Sequence, residues 1–227
     1  MRYLLFAAIL IVGTALSVTA SLAENPAKSD LTYSDEFFAG HIILAADEPE
    51  VGNEATPSDE TEIEANVSND QLDPLFAQLK SESRASSASR IARQIVAIWN
   101  DSGSDSINLL MQWASEAMGK KQYTVAQDLL AHVTVLKPDY AEGWNRRATL
   151  YFMMSDYGKS LSDIEQTLRL EPRHFGALSG LAAIMQKTRK DKRALDTWYR
   201  VLDIYPANRQ AQKTVIDLEE KLSGEGI

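Results

Sequence analysis

The chain has 227 residues, 44% of them apolar, which is enough for one domain with a real core plus extensions. It has no cysteine, so disulfides, thiolate metal sites, cysteine nucleophiles and a lipoprotein-type anchor are excluded. The net charge of −9 is unevenly spread: residues 24–75 hold 14 acidic side chains against one lysine, whereas residues 76–227 hold 21 Lys/Arg against 18 Asp/Glu. The folded part is therefore near neutral and lacks the concentrated basic stripe of a nucleic-acid surface.

Residues 1–23 read as a secretory signal peptide. Arg2 supplies the positive charge, Leu4 to Val18 the apolar core, and Ser21 and Ala23 the small cleavage positions before Glu24. The core is shorter than the ~20 residues that span a bilayer comfortably. The location expected is thus exported, periplasmic or secreted; the alternative is an uncleaved anchor in the inner membrane facing the periplasm. Residues 24–72 are rich in Glu, Asp, Pro, Ser and Asn and read as a disordered acidic linker. One apolar island interrupts it, Phe37 to Leu44, either a docking motif or a sticky segment guarded by acidic neighbours. Asn66-Val67-Ser68 matches a glycosylation acceptor, a triplet frequent by chance.

Asp73-Pro74 has the pattern of a cap followed by a first-turn proline. Leu75, Phe76 and Leu79, then Ile91, Ile95, Ile98 and Trp99, define two helices. Residues 73–106 therefore read as a degenerate helical hairpin that forms an N-terminal cap.

From there a period takes over. Pro138, Pro172 and Pro206 stand 34 residues apart. In phase with them recur small residues, Ala114, Ala148 and Ala182, then Ala126, Ser160 and Ala194. Large residues recur too: Leu110, Trp144 and Leu178; Leu130, Ile164 and Trp198; Leu136, Leu170 and Ile204. Matched small and large phases at a fixed period mark a repeat architecture. Each unit reads as two helices with a turn near Gly119-Lys120, Ser155-Asp156 or Lys190-Asp191, and with Asp156 and Asp191 as N-caps. The small residues lie where two helices approach closely, and each proline closes the second helix. The units run 107–140, 141–174 and 175–208. Residues 209–227 add a capping helix and tail: Ala211, Val215, Leu218 and Leu222 form one stripe, and Gly224 is a stop signal.

Trp144, Ala148, Tyr151, Ser160, Ile164 and Pro172 fall where the tetratricopeptide family places its signature types. The chain therefore resembles that family over about 100 residues, and more loosely resembles small exported repeat proteins of alphaproteobacteria. The resemblance implies an all-α, right-handed helical-repeat solenoid whose first helices line a concave groove. The groove phases are Asn108, Met111, Ser115 and Met118; Glu142, Asn145, Thr149 and Phe152; Gly176, Ser179, Ala183 and Gln186, with Arg146 at the rim. The family's carboxylate clamp is broken here, because its phases carry Met111, Ser115, Arg146, Gly176 and Gly180, so binding of chaperone tails is not implied. Arg147 takes a phase that usually carries leucine. Burial there calls for a carboxylate partner, with Asp163 or Glu165 as candidates.

No catalytic set stands out. His41, His132 and His174 are isolated. Gly158-Lys159-Ser160 lacks the first glycine of a phosphate loop. Arg189, Lys190, Lys192 and Arg193 cluster in one turn, read as a solvated loop rather than an anion site. The sequence thus points to a non-catalytic adaptor with no cofactor, no metal and no nucleic acid, binding a protein or extended peptide. The alternative is a tethered spacer. The expected mature chain begins at Glu24, and intact mass of the exported protein checks this: a mature chain retaining Met1 would favour the spacer.

Overall fold

The computed structural model describes the backbone of residues 60–224 and the side chains of residues 71–224. The signal peptide, the Phe37–Leu44 island and residues 24–59 of the acidic segment lie outside the described residues. Nine helices and no strand are found among the described residues: α1 (Glu60–Ser81), α2 (Ala85–Asn100), α3 (Asp105–Gly119), α4 (Tyr123–Leu136), α5 (Ala141–Met153), α6 (Tyr157–Leu170), α7 (Phe175–Lys187), α8 (Asp191–Ile204) and α9 (Arg209–Gly224).

Helices α3/α4, α5/α6 and α7/α8 pair as hairpins. They stack in order through α4 on α5 and α6 on α7, and α9 closes on α8. The small phases make this spacing. Ala114, Ala126, Ala148, Ser160, Ala182 and Ala194 are all buried, so the two helices of each hairpin meet without a side chain between them. Ser160 adds a hydrogen bond, its Oγ donating to the carbonyl of Ala148 at 2.8 Å. The prolines act through the residue before them. Lys137, Glu171 and Tyr205 cap their helices with ψ of 76°, 95° and 75°, outside the helical region that a following proline disfavours.

The turn inside each hairpin repeats as faithfully. Lys121, Ser155 and Arg189, 34 residues apart, have φ of 57°, 60° and 57°. Each is flanked by the same two bonds: Gln122 N–H to Ala117 O and Lys121 N–H to Met118 O, with Asp156/Tyr151, Ser155/Phe152, Lys190/Met185 and Arg189/Gln186 as equivalents. This is the Schellman closure of a helix by a left-handed residue, made here without glycine. Asp156 caps α6 by accepting from the Lys159 N–H. Asp191 does not cap α8: Lys190 occupies the cap position, and the Asp191 carboxylate instead pairs with Lys221 of α9 at 2.8 Å.

Three placements differ from the sequence-based expectations. First, α1 starts at Glu60, so residues 60–72, expected as linker, are helical, and Pro74 sits inside the helix rather than in its first turn. Second, α1 and α2 do not cap the first hairpin. Their buried residues Leu72, Phe76, Leu79, Ala88, Ala92, Ile95 and Trp99 share one core with Phe175, Leu178, Trp198, Val201 and Tyr205 of the third. The aromatic surface explains the choice: Trp99 stacks on His174 at 4.1 Å and lies 5.0 Å from Phe175. Arg173 both covers the Phe76 ring at 4.2 Å and pairs with Asp73 at 2.6 Å. Third, Trp144 is half-buried rather than a core aromatic; its indole N–H donates to Pro138 O at 2.9 Å and its ring carries Arg147 at 4.7 Å.

A β-carbon at a left-handed residue costs about 1 kcal/mol that glycine avoids. Ser155→Gly should therefore stabilise the protein by about 0.5–1 kcal/mol, seen as a higher denaturant midpoint at unchanged slope.

Candidate functional site

The face formed by the first helices is dominated by an ionic network on α5. Glu142 and Arg146 are four residues apart, on one side of the helix, with the acid in the favourable first turn. The Arg146 guanidinium donates to Glu142 Oε1 (3.2 Å from Nε, 2.8 Å from Nη2), to Ser115 Oγ on α3 (2.5 Å) and to Asn100 Oδ1 at the end of α2 (3.0 Å). Asn145 Nδ2 donates to the other carboxylate oxygen of Glu142 at 2.8 Å. His174 Nε2 lies 3.2 Å from that oxygen, while its Nδ1 accepts from the Ala177 N–H and caps α7. The capping bond requires an unprotonated Nδ1, so the Nε2–H is the proton that faces Glu142. Tyr140 closes the cluster by donating its hydroxyl to Asn100 O at 2.9 Å.

Glu142 and Arg146 are only 7% and 9% exposed. Burial alone would raise the Glu142 pKa. The Arg146 charge and the hydrogen bonds from His174 and Arg146 outweigh it and hold the carboxyl down at about 2.

The neighbouring Arg147 points the other way. It grips Asp163 on α6 with two parallel bonds of 2.7 and 2.9 Å and donates to Thr134 Oγ1 on α4 at 2.7 Å, tying the first hairpin to the second. Of the two candidate acids, Asp163 is the partner; Glu165 is exposed and lies 3.9 Å from Arg169.

The residues assigned to the groove do not share one fate. Met111 and Met118 are core residues of the first hairpin, and Phe152 packs against Tyr157 in the core of the second. Thr149 and Ser179 are buried and bond back to Asn145 O and Phe175 O. Arg146 is a buried network member, not an exposed rim residue, because Glu142, Ser115 and Asn100 saturate it. Asn108 is spent on the α2–α3 link, accepting from Ser102 and donating to Asp101, and Gln186 accepts from the Trp198 indole. Gly176 stands close to a ring of its own chain, since a Cβ there would lie 3.3 Å from His174. Ala183 is partly buried. Ser115 and Asn145 remain half-exposed beside the guanidinium. Sequence reasoning missed Asn100, Trp99 and His174, because nothing local announces that α2 crosses to α5 and α7. No group of three or more His, Cys, Asp or Glu that could hold a metal occurs among the described residues, and no helix among them is long and apolar enough to cross a membrane.

Hairpins of fixed period, small residues at the helix crossings and proline after each second helix define a tetratricopeptide-type solenoid. The chain is 57% identical over 154 residues to a TPR repeat-containing protein of Rhizobium etli, covering 68% of this chain and 76% of that protein. It belongs to the TPR repeat family, whose members are generally non-catalytic protein-interaction modules. No protein-family model matches. Among solved structures, the first TPR of Spaghetti (RPAP3) bound to an HSP90 peptide is 20% identical with a TM-score of 0.49, covering 52% of this chain and 93% of that one. A MamA D159K mutant is 14% identical with a TM-score of 0.44, covering 71% and 90%.

The depressed Glu142 pKa has a sign. Its contribution to stability is complete above the ordinary value of 4.5 and is lost as pH falls toward about 2. Glu142→Gln should cost on the order of 3 kcal/mol at neutral pH. The gap to the wild type should close as the pH approaches 2, which denaturant melts at several pH values will measure.

Proposed function

We propose that the chain is a non-catalytic adaptor of the cell envelope that holds a protein or an extended peptide on its first-helix face. One observation carries this reading: Ser115 and Asn145 stay half-exposed beside Arg146, whose guanidinium is already fixed by Glu142, Ser115 and Asn100. An amide and a hydroxyl held by such a frame can meet a peptide backbone without first losing side-chain freedom. The α1–α2 hairpin covers the third hairpin, so the partner is read mainly by the first and second. Exposed Gln112 lies on the same helix as Ser115 and extends the polar strip. The signal-like residues 1–23 support an exported, periplasmic or secreted location; retention of that segment would make the chain an anchored spacer facing the periplasm.

The test is affinity capture from the envelope fraction with wild-type protein and with Ser115→Ala/Asn145→Ala. The double variant should retain its helical content and lose its partners by at least about tenfold, the equivalent of ~1.4 kcal/mol. Capture of the same partners at wild-type level would contradict the assignment of this face.

A further inference from the structure

The turn between α7 and α8 carries a concentration of charge that its counterparts lack. Arg189, Lys190, Lys192 and Arg193 are all exposed, and the ion pairs found among the described residues include none of them. In the same phases the first hairpin has Lys121, Gln122, Thr124 and Val125, and the second has Ser155, Asp156, Gly158 and Lys159. The second turn is internally balanced: Asp156 caps α6 and pairs with Lys159 at 2.8 Å. In the third, Lys190 stands at the cap position, where an ammonium has no acceptor to offer, and α8 has no side-chain cap. The carboxylate within the run does not balance it either, because Asp191 is taken by Lys221 of α9 at 2.8 Å and is only 13% exposed.

This arrangement works against the fold. Lys192 and Arg193 lie in the first turn of α8, where the helix dipole disfavours positive charge, and Arg189 and Lys190 directly precede it. Four like charges within five residues also repel one another. Breaking the local rules of stability at one turn while keeping them at its equivalent marks a place built for binding. What the turn offers sets the chemistry of the ligand. The run from Arg189 to Arg193 has no apolar side chain, so it suits neither an apolar helix nor a bilayer interior. It is confined to one turn, too short for the basic stripe of a nucleic-acid surface. It fits a short, carboxylate-rich stretch of chain.

We propose that this turn, read from the sequence as a solvated loop, holds the chain's own acidic segment. Residues 24–59 carry nine Asp/Glu against the single Lys28, five of them between Asp47 and Asp59. Reach permits the contact. Arg173, which pairs with Asp73 of α1, lies at the end of α7 opposite the turn, and α7 has 13 residues, a length of ~20 Å. The stretch of α1 from Asp73 back to Glu60 adds at most another ~20 Å. Thirty-six residues extend to about 120 Å, so the acidic segment spans the distance whichever way α1 points. Single exposed ion pairs are weak. A tethered anion nevertheless acts at an effective concentration on the order of millimolar, which a free anion has to match. Docked there, the segment shields the turn from other polyanions.

Paramagnetic relaxation in the exported protein tests this, and the lack of native cysteine lets a single label be placed cleanly. A nitroxide on Asn53→Cys should broaden the amide signals of residues 189–193 at low salt. The broadening should vanish in concentrated salt, where the Debye length falls to about 3 Å. It should vanish equally in Lys190→Glu/Lys192→Glu, with helical content by circular dichroism unchanged. A turn that is not broadened overturns the proposal, as does broadening indifferent to salt and to the charge reversal. An unbroadened turn that binds phosphatidylglycerol vesicles, with binding lost in Lys190→Glu/Lys192→Glu, also overturns it and would assign the turn to an anionic membrane surface.

Discussion

A buried carboxylate must be paired, and in this protein that requirement holds four helices in place. Glu142 sits inside the fold with donors from Arg146, Asn145 and His174, and Arg146 passes the restraint on to Ser115 of α3 and Asn100 of α2. His174 in turn caps α7 and stacks on Trp99. Removing Glu142 or Arg146 leaves the other's charge stranded in low dielectric, which costs several kcal/mol, whereas forming the pair from solvated groups gains little. The network is therefore better understood as fixing where α2 lies than as a large source of stability. Adjacent Arg147 restrains a different neighbour, binding Asp163 and Thr134. Two consecutive arginines thus tie the second hairpin to the first and to α2.

The repeats themselves rest on steric rules that recur every 34 residues. Small side chains set the distance between paired helices, left-handed residues close each first helix, and proline ends each second one. Because each hairpin contacts mainly its neighbours, the ends of the stack are where these rules stop applying. At one end α9 supplies a charged outer face. At the other the helices that could have done so pack elsewhere, since Trp99 finds a more complete aromatic environment beside His174 and Phe175 than the flank of α3 offers.

The fold class was legible in the sequence because the period, the prolines and the small phases are each local signals with a direct steric meaning. The Arg147–Asp163 pair was legible for a related reason: a guanidinium in a buried phase has few acids within reach. The path of α1 and α2 was not, because it depends on contacts between residues such as Trp99 and His174, or Asp73 and Arg173, that no periodicity links. That one omission accounts for much of the rest. Groove phases assume an empty groove, so Glu142, Arg146 and Ser179 were read as accessible when they are buried. Met111, Met118 and Phe152 were assigned to the groove, and the packing within and between hairpins takes them inward. The early start of α1 was hidden by composition, since an acidic stretch without a lasting apolar period resembles a linker.

The central claim is that the N-terminal hairpin folds across to the third repeat instead of capping the first. Proton–proton Overhauser contacts from the Trp99 indole test it without altering the protein. Strong cross-peaks are predicted from Trp99 to the rings of His174 and Phe175, which lie 4.1 and 5.0 Å away. Cross-peaks from Trp99 to Leu109 or Trp113, with none to His174, would place the hairpin on the first repeat and contradict the claim.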